Sequence, residues 1–95
     1  MTKAMISKRA IFEGRVQGVG FRYEVKDIAK GFDVTGWVKN LPDGTVELLA
    51  TGEDDEVEEF LKEISEESAM ARNIKNMHVS EIDLLENVRG FVIAS

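Results

Sequence analysis

A change of hydrophobic period across a glycine-rich turn is the feature that most constrains how this chain folds. From Ile6 to Phe12, ISKRAIF carries apolar residues at Ile6, Ala10 and Phe12, a rough period of two that fits a half-buried strand. FRYEVKDIAKGF then places Phe21, Val25, Ile28, Ala29 and Phe32 on one face of an α-helix, with Gly31 positioned to cap its C-terminus. Between the two, GRVQGVGFR (residues 14–22) packs Gly14, Gly18 and Gly20 with Arg15 and Arg22 into nine positions. Strand, glycine loop and helix therefore follow one another directly.

Downstream, DVTGWVKNL and TVELLAT flank a Pro-Asp-Gly turn and read as a hairpin. GEDDEVEEFLKEISEES has Val57, Phe60, Leu61 and Ile64 at helical spacing behind an acidic first turn, which suits the positive end of a helix dipole. IKNMHVSEIDLL and the terminal GFVIA are β-like, with Phe91 and Ile93 on one face. The order predicts a single α+β domain over residues 1–95, a ferredoxin-like split βαββαβ sandwich whose antiparallel sheet has two helices on one face. In that topology the strand ending in GWVKN is expected beside the first strand.

With 43% hydrophobic residues, a 95-residue chain can build one core, and without cysteine it has no disulfide or thiolate metal site. A reducing, cytoplasmic setting is expected. No run approaches the roughly 20 apolar residues that span a bilayer, and MTKAMISKRA lacks the apolar core of a secretory signal. The net charge of −6 argues against phosphate-backbone binding of nucleic acid. It is unevenly spread: residues 1–40 hold eight Lys or Arg against four Asp or Glu, so the other 55 residues carry −10. Local attraction of a small anion is compatible with that distribution.

A glycine loop leading into a helix N-terminus turns several backbone N–H groups toward one point, where the dipole adds about half a positive charge. Gly18 and Gly20 permit positive φ, and Arg22 can fork two donors onto a phosphate. No Lys-Ser or Lys-Thr follows for a P-loop, and Tyr23 stands where a dinucleotide motif needs its third glycine. The turn alone also reads as a plain tight turn with a solvated arginine, but a cation beside a helix N-terminus then lacks a reason. Asn40, closing GWVKN, has an acceptor and a donor on a short side chain that suit holding a water molecule. From spacing alone, a strand-end Asn bonding its own turn carries at least equal weight.

Asp43 and Gly44 read as turn residues, Trp37 as core or sheet-face packing, and the acidic run Glu53 to Glu59 as a solvated helix face rather than a calcium loop. His78 has no Ser or Cys nucleophile directly beside it in the sequence and reads as a surface-strand residue.

Set in order, FEGRVQGVGFR, GWVKNLPDGTVELLATG and the terminal GFVI make the chain resemble the acylphosphatases. The resemblance is close over residues 10–64 and rests on two separated motifs, VQGVGFR and GWVxNxxDG. It is looser over residues 65–89, where the family often has a Gly-Pro pair and this chain has SEESAMARNIKN. It implies a ferredoxin-like fold and hydrolysis of the carboxyl–phosphate bond of acyl phosphates without metal or cofactor. By the same resemblance, Arg22 and the N–H groups of Arg15, Val16, Gln17, Gly18, Val19 and Gly20 bind the phosphoryl group, and Asn40 orients the attacking water.

The expected partners are a small acyl phosphate as substrate and inorganic phosphate as product and competing ligand, with no nucleic acid and no membrane. A free-standing monomer is expected. Two rivals remain at this stage: an anion-binding or regulatory module without turnover, and an RNA-binding domain of the same topology. The second wants exposed aromatics on the central strands, and TVELLAT has none.

Overall fold

The computed structural model describes residues 4–94. Strand β1 (Met5–Gly14) leads through the glycine loop into helix α1 (Phe21–Ala29), followed by β2 (Val34–Asn40), β3 (Val46–Glu53), helix α2 (Asp54–Lys62), β4 (Ile74–Ile82) and β5 (Phe91–Ile93). The sheet order is β4-β1-β3-β2-β5, with antiparallel pairs throughout except the short β5, which runs parallel to β2. The sheet is thus mixed at one edge. β1 and β2 are not neighbours, contrary to the expectation from the sequence, because β3 inserts between them. That insertion is what splits the βαβ unit.

One face of the sheet and the apolar faces of both helices form the core. Ala10, Phe12, Val38, Val46, Leu48 and Ala50 from the strands meet Phe21, Val25 and Ala29 of α1 and Val57, Phe60 and Leu61 of α2. Phe12 and Phe21 rings stand edge to face with centroids 5.1 Å apart, and Phe60 meets Phe91 at 5.4 Å in the same manner. Such pairs add about 0.5–1.5 kcal/mol beyond the area they bury. The Phe12–Phe21 contact also fixes where α1 starts over the sheet.

β3 is central and buried on both sides, so Glu47 and Thr51 are buried as well as Val46, Leu48 and Ala50. Their partners lie on the opposite face. Arg9 Nε donates to Glu47 Oε2 at 2.7 Å, Lys39 Nζ lies 3.8 Å from Glu47 Oε1, and the Ser7 and Thr51 hydroxyls are 2.6 Å apart. The Leu85 N–H donates to Ser7 Oγ at 2.9 Å, which carries the segment after β4 across this face. Trp37, half-buried, packs here opposite Leu49.

Two helix ends differ from the periodic reading. α1 stops at Ala29, and Gly31 does not take a left-handed conformation; the N–H groups of Lys30, Gly31 and Phe32 instead reach back three residues to Asp27, Ile28 and Ala29. α2 passes at Glu63–Glu67 into a π-helical turn, where Ile64 stays fully buried, and Ser68 ends that turn by donating its hydroxyl to the Ile64 carbonyl at 2.7 Å. Among the described residues, no helix is long and apolar enough to cross a membrane.

Candidate active site

The loop between β1 and α1 is anchored by Val16, whose side chain is fully buried, while Gly18 and Gly20 project into solvent. Gly18 has φ of 74° and Gly20 has φ of 86° and ψ of 13°, left-handed values that a residue with a Cβ rarely adopts. The first helical hydrogen bond runs from the Glu24 N–H to the Gly20 carbonyl at 3.1 Å. Among the described residues, no backbone carbonyl accepts from the N–H groups of residues 16–20, nor from those of Phe21, Arg22 and Tyr23. A run of free donors at the positive end of α1 has the chemistry that attracts an anion.

Arg15 departs from the expectation for this loop. Its N–H donates to the Asn73 carbonyl at 2.9 Å, so that donor is already used, and its side chain is exposed. The loop's available donors begin at Val16.

Arg22 occupies the first turn of α1 and is half-buried. Among the described residues it has neither an ion-pair partner nor a hydrogen-bond acceptor. Arg9, inside the sheet on β1, is by contrast satisfied by Glu47. A part-buried guanidinium at a helix N-terminus repels the dipole and forgoes pairing, both of which an oxyanion would reverse.

Asn40 ends β2 opposite Val46, which in turn faces Phe12 on β1. Residues directly opposite share a face, so Asn40 lies on the helix side of the sheet, in the row that carries the Phe12–Phe21 contact. Lys39, one residue earlier, points to the other face and Glu47. The Asn40 Oδ1 atom is buried and has no hydrogen-bond partner among the described residues. Such an orphan costs about 1–3 kcal/mol and calls for an explanation.

Gln17 joins the two parts of the site. Its Nε2 donates to the carbonyls of Leu41 and Thr45, both at 2.8 Å, on either side of the turn that follows Asn40. The turn is closed by Leu41 N–H to Thr45 O at 2.9 Å. Asp43 takes the Thr45 N–H at 3.0 Å and the Thr45 hydroxyl at 2.6 Å, which hold its carboxyl below the ordinary value of 3.8. The sequence pattern assigns Gln17 only a backbone role; a long polar side chain among glycines and valines is the signal for more.

The remaining candidates are peripheral. A shallow depression of about 500 Å3 follows the outer face of α1, lined by Gly20, Tyr23, Glu24, Lys26, Asp27 and Lys30, and includes neither Arg22 nor Asn40. His78 is exposed on β4, with Nε2 at 3.5 Å from Glu13 Oε2. Among the described residues no three His, Asp or Glu side chains gather as metal ligands.

Fold and site together define a small α+β domain that presents free backbone donors and an unpaired arginine at a strand–loop–helix junction. The chain belongs to the acylphosphatase family, whose model matches residues 8–93. It is 54% identical over 71 residues to an acylphosphatase of Methanospirillum hungatei, covering 75% of this chain and 78% of that one. Against an acylphosphatase of Bacillus licheniformis it is 41% identical over 90 residues, 95% of this chain and 99% of the relative. The crystal structure of the acylphosphatase from Bacillus subtilis superimposes with a TM-score of 0.83 at 36% identity, covering 97% of this chain and all of that one.

Proposed function

We propose that this chain hydrolyses the carboxyl–phosphate bond of small acyl phosphates, yielding a carboxylate and inorganic phosphate. The orphaned, buried Oδ1 of Asn40 carries the reading, because an acceptor left unpaired at a cost is explained by a water molecule that it must hold. Family membership and the names of the relatives support it.

In this mechanism the phosphoryl oxygens take the N–H groups of residues 16–20, and Arg22 neutralises their charge. Water held by Asn40 attacks phosphorus in line. The new P–O bond forms as the bond to the acyl oxygen breaks, the electron pair leaves with the carboxylate, and a proton of the water passes to the phosphate formed. A carboxylate leaves readily, so positioning and electrostatics suffice and no general acid is required. Charge on the phosphoryl group is met by Arg22 and backbone donors, so the step asks for neither metal nor cofactor.

The proposal extends to a cytoplasmic monomer of a single domain whose partners are the small substrate and inorganic phosphate, with nucleic acid and membranes outside its range. The test is hydrolysis of benzoyl phosphate by the purified protein, with inorganic phosphate as a competitor. Turnover inhibited competitively by phosphate is the expected result; phosphate binding without turnover would make the chain an anion-binding module instead.

A further inference from the structure

Where β1 leaves the sheet, its last residues meet the turn Ala71–Asn73 that precedes β4. The β1–β4 ladder shifts register between Glu13 and Gly14, and beyond that point two bonds of opposite direction replace it. The Arg15 N–H donates to Asn73 O at 2.9 Å, and Asn73 Nδ2 donates to Arg15 O at 3.1 Å. Gly14, at φ of 129°, is required beside them, since a Cβ there would run into the Asn73 carbonyl and the Lys75 nitrogen.

The same segment reaches the other end of the loop. A Cβ on Gly20 would sit 4.0 Å from the Met70 methyl, and Met70 packs against the core. Residues 68–73 are held locally by Ser68, whose hydroxyl accepts from the Met70 N–H at 3.2 Å, and by the Asn73 N–H bond to the Met70 carbonyl at 2.9 Å. Residues 70–73 thus bond the glycine loop at its first positions and lie near its last.

A trans peptide is planar, so its carbonyl and N–H point in opposite directions. Tying the Arg15 carbonyl to Asn73 therefore turns the Val16 N–H away from Asn73, and Val16 is where the free donors begin. We propose that Asn73 is a positioning residue for the phosphoryl-binding loop, setting the plane of the Arg15–Val16 peptide through its side-chain amide. The inference rests on the reading that this loop binds phosphate.

Asn73→Ala leaves the backbone bond in place and removes only the side-chain donor; Asn73→Leu does the same at nearly constant size. Both are expected to raise the inhibition constant of inorganic phosphate and the KM for benzoyl phosphate together, by about three- to tenfold, the equivalent of one hydrogen bond, while kcat stays within about twofold. Asn76→Ala is the control, because it deletes a similar exposed bond of 3.1 Å to Glu13 on the same strand pair without touching the loop, and it should leave both constants unchanged. Wild-type phosphate affinity in both Asn73 variants overturns the proposal, and so does an equal loss in Asn76→Ala. If the wild type fails to hydrolyse benzoyl phosphate, the functional reading falls, yet phosphate titration followed at the Val16 amide by NMR still decides the role of Asn73.

Discussion

Gln17 and Leu41 stand 24 positions apart in the chain, and the Gln17 Nε2 donates to the Leu41 carbonyl at 2.8 Å. Because Leu41 follows Asn40 directly and Gln17 lies in the loop before Arg22, this bond sets the spacing between the glycine loop and the strand end that holds the orphaned acceptor. The same nitrogen's bond to Thr45 makes the join a two-point one, which resists rotation as well as separation.

Gln17→Leu is expected to separate stability from positioning. Two neutral hydrogen bonds together contribute about 1–3 kcal/mol, and each kcal/mol moves the Tm of a domain this size by about 4–8 °C. Beyond that loss, kcat should fall about tenfold or more with a smaller change in the inhibition constant of phosphate, since the water held by Asn40 would no longer be in line. Thermal melts and steady-state kinetics check both. A lowered Tm with unchanged kcat would make Gln17 a staple only.

The local elements were legible because each carries its own period. Phe21, Val25 and Ala29 face the core as their spacing requires, and Val38 and Val46 lie where strand alternation places them. Neighbour relations were not legible in the same manner. Nothing in the pattern of β1 or β2 states that β3 runs between them, because pairing is decided by the whole set of buried faces. Burial of Glu47 and Thr51 followed from that central position rather than from their own types. In the site, glycines at positive φ and Arg22 at the helix start were readable from residue type alone. The link from Arg15 to Asn73 spans 58 positions and joins two residues of unremarkable context, so only the folded chain brings it out.

Arg22→Ala should reduce kcat/KM for benzoyl phosphate by about 10² to 10³, the usual loss of one well-aimed donor in a polar site. Folding stability should hold or rise slightly, because the change removes a cation from the positive end of α1 and breaks no ion pair among the described residues. Arg22→Lys keeps the charge but not the fork and should recover only part of the activity. Wild-type rates in Arg22→Ala would remove this residue from the mechanism.

Asn40→Ala is expected to lower activity while leaving stability nearly unchanged. Deleting an acceptor that bonds no protein group among the described residues breaks no internal bond and loses only a little packing, so the Tm should stay within a few degrees of the wild type. Turnover should fall by about 10² to 10³, whereas phosphate should compete nearly as well as before because the loop donors and Arg22 are untouched. A large drop in Tm, of 10 °C or so, would mean that Asn40 bonds its own turn after all.

Gly14 and Gly20 both have positive φ, but their surroundings differ, and so should the effects of alanine. At Gly20 the nearest atom to a new Cβ is the flexible Met70 methyl at 4.0 Å, so Gly20→Ala meets mainly the left-handed penalty of about 1–2 kcal/mol. That protein should fold, with weakened phosphate binding as the backbone at residues 20–21 relaxes toward ordinary φ and its N–H groups turn. At Gly14 a Cβ would overlap the Asn73 carbonyl and the Lys75 nitrogen, both backbone atoms that cannot step aside without opening the β1–β4 edge. Gly14→Ala should therefore cost about 4 kcal/mol or more, placing it among the largest single-site losses, and leave little folded protein at 37 °C. Circular dichroism melts with phosphate titrations distinguish the two; equal stabilities would show that the segment at Asn73 yields easily, and a rigid clasp on the loop would no longer be tenable.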